Sequence, residues 1–95
     1  MIYHAVTRAR GPSWDASRGL REQAKWDEHA AFMDALADEG FIVLGGPIGD
    51  GERTLLIVNA GSEQEIEPRF AGDPWTQMGL LRIARIERWE ILLGK

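Results

Sequence analysis

Cysteine is absent from the chain, which excludes disulfides, thiolate metal sites and cysteine nucleophiles. No apolar run is long enough to cross a bilayer. The opening "MIYHAVTRAR" has no charged region followed by continuous apolar residues and does not read as a signal peptide; a cytoplasmic protein without a membrane partner is expected. Also missing are G-x-S-x-G, G-x-x-x-x-G-K-S/T, H-E-x-x-H and C-x-x-C, each of which would have tied a reaction to a spacing. Bases are in deficit, eleven against fifteen acids for a net charge of -4. That is the wrong sign for neutralising phosphates by counterion release, so no nucleic-acid partner is expected. The densest basic stretch, Arg82, Arg85 and Arg88, is interrupted by Glu87 and alternates with apolar residues. It reads as solvated strand positions with cross-strand ion pairs.

What is present is an ordinary globular composition. At 95 residues, with 44 % hydrophobic and 27 % charged side chains, residues 1–95 make a single domain with a core large enough to fold. "IYHAVTRA", bounded by "RGPS", predicts a strand from about Ile2 to Arg8. Helical composition from Leu20 to Glu39, stopped by Gly40 as C′ residue, predicts the main helix. On a helical projection Trp26, His29, Ala30, Met33, Leu36 and Ala37 share one face, and Asp27, Glu28, Asp38 and Glu39 the other.

"FIVLGG" and "RTLLIVNA", joined by the turn residues of "PIGDGE", predict an antiparallel hairpin. Ser62 and Glu65 stand at capping-box spacing before a short helix that Pro68 kinks or ends. Gly79 to Trp89 alternates as a fourth strand, and "ILLGK" continues it or adds an edge strand. The order β-α-β-β-α-β is the ferredoxin-like α+β arrangement, two helices on one face of a four-stranded antiparallel sheet. "FIVL" and "LLIV" are apolar at every position, so both faces of the sheet need cover. Two helices cover only one, and the sequence therefore predicts a homodimer through the other sheet face.

His4, with Ile2 and Val6 as same-face neighbours, reads as a structural strand histidine. His29, within the apolar stripe, reads equally as a core histidine satisfied by a backbone carbonyl or as a functional one, and in either case must find a hydrogen-bond partner, since an unpaired buried polar group costs about 1 to 3 kcal/mol. Asp73 is the best-placed candidate, because Pro74 holds it away from helical geometry and stiffens the loop that presents it. The alternative is an Asx-type turn that ends the second helix. Four tryptophans are many for this length. Trp26 is one turn before His29 and Trp75 two residues after Asp73, consistent with a ring-lined cavity as well as with simple core packing. Asp15, beside Trp14, either caps the first helix or joins the cavity rim. The glycine-rich "GGPIGDG" precedes a strand, so it reads as a hairpin turn whose Gly45-Gly46-Pro47 backbone can line a pocket closely.

Together "WDEHAAFMDALADEGFIVLGGPIGD", "RTLLIVNAGSEQEIEPRFAGDPW" and "GLLRIARIERWEILLG" resemble the YciI-like (YCII) family of dimeric α+β barrel proteins over nearly the whole chain. The most specific features are the helical histidine, the Gly-Gly-Pro ending the second strand and the Asp-Pro-aromatic step before the last. The resemblance implies a ferredoxin-like protomer, sheets packed face to face in a dimer, and His29 and Asp73 as an acid-base dyad in a cleft, Asp73 orienting and charge-stabilising His29. A relative has been assigned to dehydrochlorination of a chlorinated hydroxyhydroquinone, and the similar muconolactone isomerase group works by proton transfer on ring-derived lactones. The longer first loop, "RARGPSWDASRGLREQAKW", departs from shorter family members and reshapes the cleft mouth around Trp14 and Asp15.

Two functional readings follow. In the first the protein is an enzyme of proton-transfer type, an isomerase, lyase or dehydrochlorinase. His29 and Asp73 are catalytic, Trp14, Asp15, Trp26, Gly46, Pro47 and Trp75 bind a small cyclic or aromatic-derived substrate, and no cofactor or metal is required. In the second it is a non-catalytic small-molecule-binding or accessory protein on the same dimeric scaffold. A buried structural link between His29 and Asp73 is a third, weaker reading.

Overall fold

A computed structural model describes residues 1–94. Strand β1 (Tyr3–Arg10) alternates with period two, burying His4, Val6 and Arg8 on one face. Helix α1 (Trp26–Asp38), strands β2 (Ile42–Ile48) and β3 (Arg53–Asn59), helices α2 (Ile66–Phe70) and α3 (Pro74–Gln77), and strand β4 (Leu81–Trp89) follow. All pairings are antiparallel and the sheet order is β2-β3-β1-β4. This is the ferredoxin-like α+β arrangement, with both helical connections crossing between non-adjacent strands.

The main helix is shorter than its composition predicts. Leu20–Glu22 forms a single 3₁₀ turn, Lys25 takes the left-handed conformation (φ 61°), and α1 begins only at Trp26. Gln23 is the cause. Its buried amide nitrogen donates to the carbonyls of Asp15 (2.7 Å) and Arg18 (3.0 Å), while its oxygen accepts the N–H of Asp15 (3.1 Å). One side chain thus satisfies loop backbone that would otherwise favour helix. The C-terminal end is as expected: Gly40 (φ 86°) donates to Ala37 and Phe41 to Leu36, both through backbone N–H groups, a Schellman motif.

The second helical region is divided, giving three helices where two were expected. A 3₁₀ turn at Glu63–Glu65 leads into α2, which ends at Phe70 shortly after Pro68, and α3 is a separate element. The expected capping box does not form: the Ser62 side chain makes no cap bond, and the Glu65 carboxylate accepts the N–H of Gly61 (2.9 Å), one residue before the N-cap. The tail up to Gly94 forms no strand, and Leu92 and Leu93 are exposed.

Leu36 of α1 and Ile66 and Phe70 of α2 pack with Val6, Ile42, Leu56 and Val58 into the main core. These strand residues share one face of the sheet by register. The opposite face carries Ala5, Thr7, Leu44, Leu55 and Ile57, none of which enters that core. Leu44 is 70 % exposed there.

Beyond β1 the chain crosses close over the start of β4. Gly11 donates its N–H to Leu80 (2.8 Å) and Ser13 donates to Gly79 (3.0 Å). A Cβ on Gly11 would stand 2.2 Å from the Gly79 carbonyl oxygen, so backbone must yield. Gly11→Ala is expected to lower stability by about 1–3 kcal/mol, read as a reduced urea midpoint; an unchanged midpoint would show that the loop carrying Trp14 is free to shift.

Candidate active site

The site is assembled around the Asp-Pro step that opens α3. Asp73 is the N-cap residue in extended geometry (φ -66°, ψ 125°), and its Oδ1 accepts the N–H of Trp75 at 3.0 Å. Pro74 occupies the first helical turn, where its missing N–H costs no hydrogen bond. The Asx-type turn therefore starts a helix instead of ending one. Asp73 has no solvent exposure at all.

Two further elements converge on this carboxylate. From the first turn of α1, the His29 Nδ1 lies 2.9 Å from both Asp73 oxygens. From β1, the Arg8 guanidinium donates through Nη1 to Asp73 Oδ2 (2.9 Å) and through Nη2 to the Thr76 hydroxyl (2.7 Å). Burial opposes the charged form of Asp73, but bonds from the His29 ring, the Trp75 N–H and Arg8 outweigh it. The carboxyl is held below its ordinary pKa. Burial also lowers the Arg8 guanidinium, and the bond and charge of Asp73 oppose that shift.

The His29 ring is held on its face as well as its edge. Trp75 stacks on it with centroids 3.8 Å apart and planes 5° from parallel. Trp14 meets Trp75 edge-on at 5.6 Å, and Trp26 lies 5.7 Å from Trp75. The Trp75 Nε1 donates to the Ala24 carbonyl at 2.7 Å, tying α3 to the segment just before α1. With Nδ1 committed to a carboxylate acceptor, the neutral imidazole carries its proton on Nδ1 and its lone pair on Nε2. Nε2 has no hydrogen-bond partner among the described residues.

His29 lines a half-open cavity of about 490 Å³ together with Trp14, Trp26, Trp75 and Met33. Gly46 and Pro47 of the edge strand β2 close another side. Asp73 is not on the wall; it stands behind His29. Asp15 is a correction. It neither lines the cavity nor caps α1: its exposed carboxylate accepts from the N–H (3.0 Å) and hydroxyl (2.5 Å) of Ser17 and pairs with Arg18 (3.4 Å). Sequence reasoning missed Arg8, Arg10 and Thr76. For Arg8 a signal existed, since it continues the buried face of His4 and Val6 at strand period two. Among the described residues, no group of three His, Asp or Glu side chains is arranged to hold a metal ion.

The lowered pKa of Asp73 sets a pH dependence. Folding favours the ionised form, so its contribution to stability is complete above the unfolded carboxyl pKa, about 3.9, and is lost as pH falls through the folded value. Asp73→Asn removes this contribution and leaves Arg8 buried without its counter-ion. Urea midpoints from pH 3 to pH 7 are expected to show a less stable variant near neutrality with a flatter acid limb than wild type. Parallel acid limbs would mean that Asp73 does not contribute.

The family model of the YCII-related domain matches residues 3–90. No curated protein matches the chain. Among solved structures, one similar to this chain is a 5-chloro-2-hydroxyhydroquinone dehydrochlorinase from Burkholderia phenoliruptrix, in complex with 2,5-dihydroxybenzoquinone. It has 27 % sequence identity and a TM-score of 0.59, covering 95 % of this chain and 94 % of that one. The fold and the matched span together make this chain a member of the YCII-related domain family.

Proposed function

We propose that the protein is a proton-transfer enzyme, of isomerase, lyase or dehydrochlorinase type, acting on a small cyclic or aromatic-derived molecule in the tryptophan-lined cavity. The observation that carries this reading is His29: Nδ1 is fixed 2.9 Å from both oxygens of a buried carboxylate while the ring borders the cavity. Its Nε2 lone pair takes a proton from the substrate, and Asp73 stabilises the imidazolium that results. The proton then returns to a different substrate atom in an isomerisation; in an elimination the C–H electron pair forms the new double bond, an anion such as chloride departs, and His29 releases its proton to solvent. Neither route changes the oxidation state of the protein, and the reading assigns no role to a cofactor. The similar dehydrochlorinase with its bound dihydroxybenzoquinone supports a ring-shaped ligand.

The same apolar cavity supports a second reading, ligand binding without turnover. Incubating candidate chlorinated hydroxyhydroquinones and lactones with the protein and analysing products separates the two. On a substrate that is turned over, His29→Ala is expected to lower kcat by about 10²- to 10⁴-fold; unchanged kinetics would remove His29 from the mechanism.

We also infer that a second copy of the chain covers the sheet face of Ala5, Thr7, Leu44 and Leu55, where Ile57 is already buried within the protomer. That apolar surface receives no helix from its own protomer. Light scattering at micromolar concentration should give twice the mass of one chain, 10.6 kDa; a stable monomer would refute the dimer.

A further inference from the structure

Two arginines of β1 reach the cavity, and they differ in how their charge is met. Arg8 is neutralised by Asp73. Arg10, two residues on and on the same face of the strand, forms no ion pair among the described residues. Its guanidinium lies over the ring of Trp14, 4.8 Å from the centroid. Among the described residues, its one hydrogen bond runs from Nη2 to the Gly51 carbonyl at 3.5 Å, at the long limit for such a bond, and its buried Nε has no partner. The exposed carboxylates of Asp34 and Glu52 also border the cavity, yet neither comes within ion-pair distance of Arg10.

A guanidinium offers five N–H donors in a planar fork. Here most of them lack a protein acceptor, in a cavity whose other walls are largely aromatic and aliphatic. A half-buried cation without an acceptor is costly, and an anionic oxygen pair, as in a carboxylate or a vicinal enolate and carbonyl, matches the fork in shape and charge. Trp14 holds the guanidinium plane in place from one side, so little freedom is lost when a ligand is engaged.

Resting on the reading of this cavity as the site of a ring-shaped ligand, we propose that Arg10 anchors an anionic oxygen of that ligand. The cavity then selects flat rings bearing an enolate, phenolate or carboxylate over neutral rings of the same shape. Arg10 fixes one side of the ring, and the ligand's reacting atom is presented to His29 Nε2.

The test is calorimetric titration of the full chain with 2,5-dihydroxybenzoate and its neutral isostere 2,5-dihydroxybenzamide, with 2,5-dihydroxy-1,4-benzoquinone as reference. Wild type is expected to prefer the benzoate over the amide by about 10- to 100-fold. Arg10→Gln should abolish that preference without changing affinity for the amide, and Arg10→Lys, which keeps the charge but not the fork, should retain part of it. Equal binding of the pair by wild type, or a full preference surviving in Arg10→Gln, overturns the assignment while leaving the ring-ligand reading in place. Binding of none of the three probes by wild type overturns both. Turnover is not measured, so the outcome is independent of whether His29 transfers a proton.

Discussion

The structure turns on one buried carboxylate. Asp73 is reached by donors from three separate elements: the Arg8 guanidinium on β1, the His29 ring on α1 and the Trp75 N–H of its own helix α3. Burying an ion in a protein interior costs several kcal/mol and is tolerated only when its lone pairs are met with good geometry. Asp73 meets that condition solely in the assembled fold, because Arg8 and His29 lie far away from it in sequence. The ionised state of Asp73 and the docking of α3 against β1 and α1 are therefore one event.

That coupling also determines what His29 can do. A histidine in an apolar helix stripe could have been satisfied by a backbone carbonyl. Instead the acceptor is a charged group kept ionised by its surroundings, so positive charge on the imidazole is matched when a proton arrives at Nε2. Trp75 performs two tasks at once, covering the imidazole face at 3.8 Å and anchoring the approach to α1 through its Nε1.

Much of this was legible in the sequence because it follows from periodicity and local backbone chemistry. The four strands, the stop at Gly40 and the stiffened Asp73 all rest on interactions within a few residues. What was illegible depended on contacts at a distance. The shortened α1 comes from the amide of Gln23 bonding three loop carbonyls and an N–H, and no local propensity reports that. Arg8 was visible as a position on a buried strand face, but a charge there makes sense only once Asp73 is known to be opposite. Asp15 failed for the converse reason: Ser17 and Arg18, its near neighbours, satisfy it outside the cavity. The division of the second helical region follows the Asp-Pro signature, which marks the start of a helix as readily as the end of one.

The distribution of rigidity around the cavity suggests how its parts can change independently. The side holding His29 is fixed by a helix turn, a stacked indole and a buried ion pair, and little there can vary without exposing Arg8 or Asp73 to the cost of an unpaired charge. The opposite side is built from the edge strand β2, where Val43 and Leu44 are exposed and Pro47 forgoes a ladder bond. Trp14 arrives on a loop positioned by the close crossing at Gly11 and by the Gln23 amide. Substitutions at the edge strand and in this loop can reshape the cavity while Asp73 keeps its three donors, so in the proposed function ligand choice and proton transfer are separable on this scaffold.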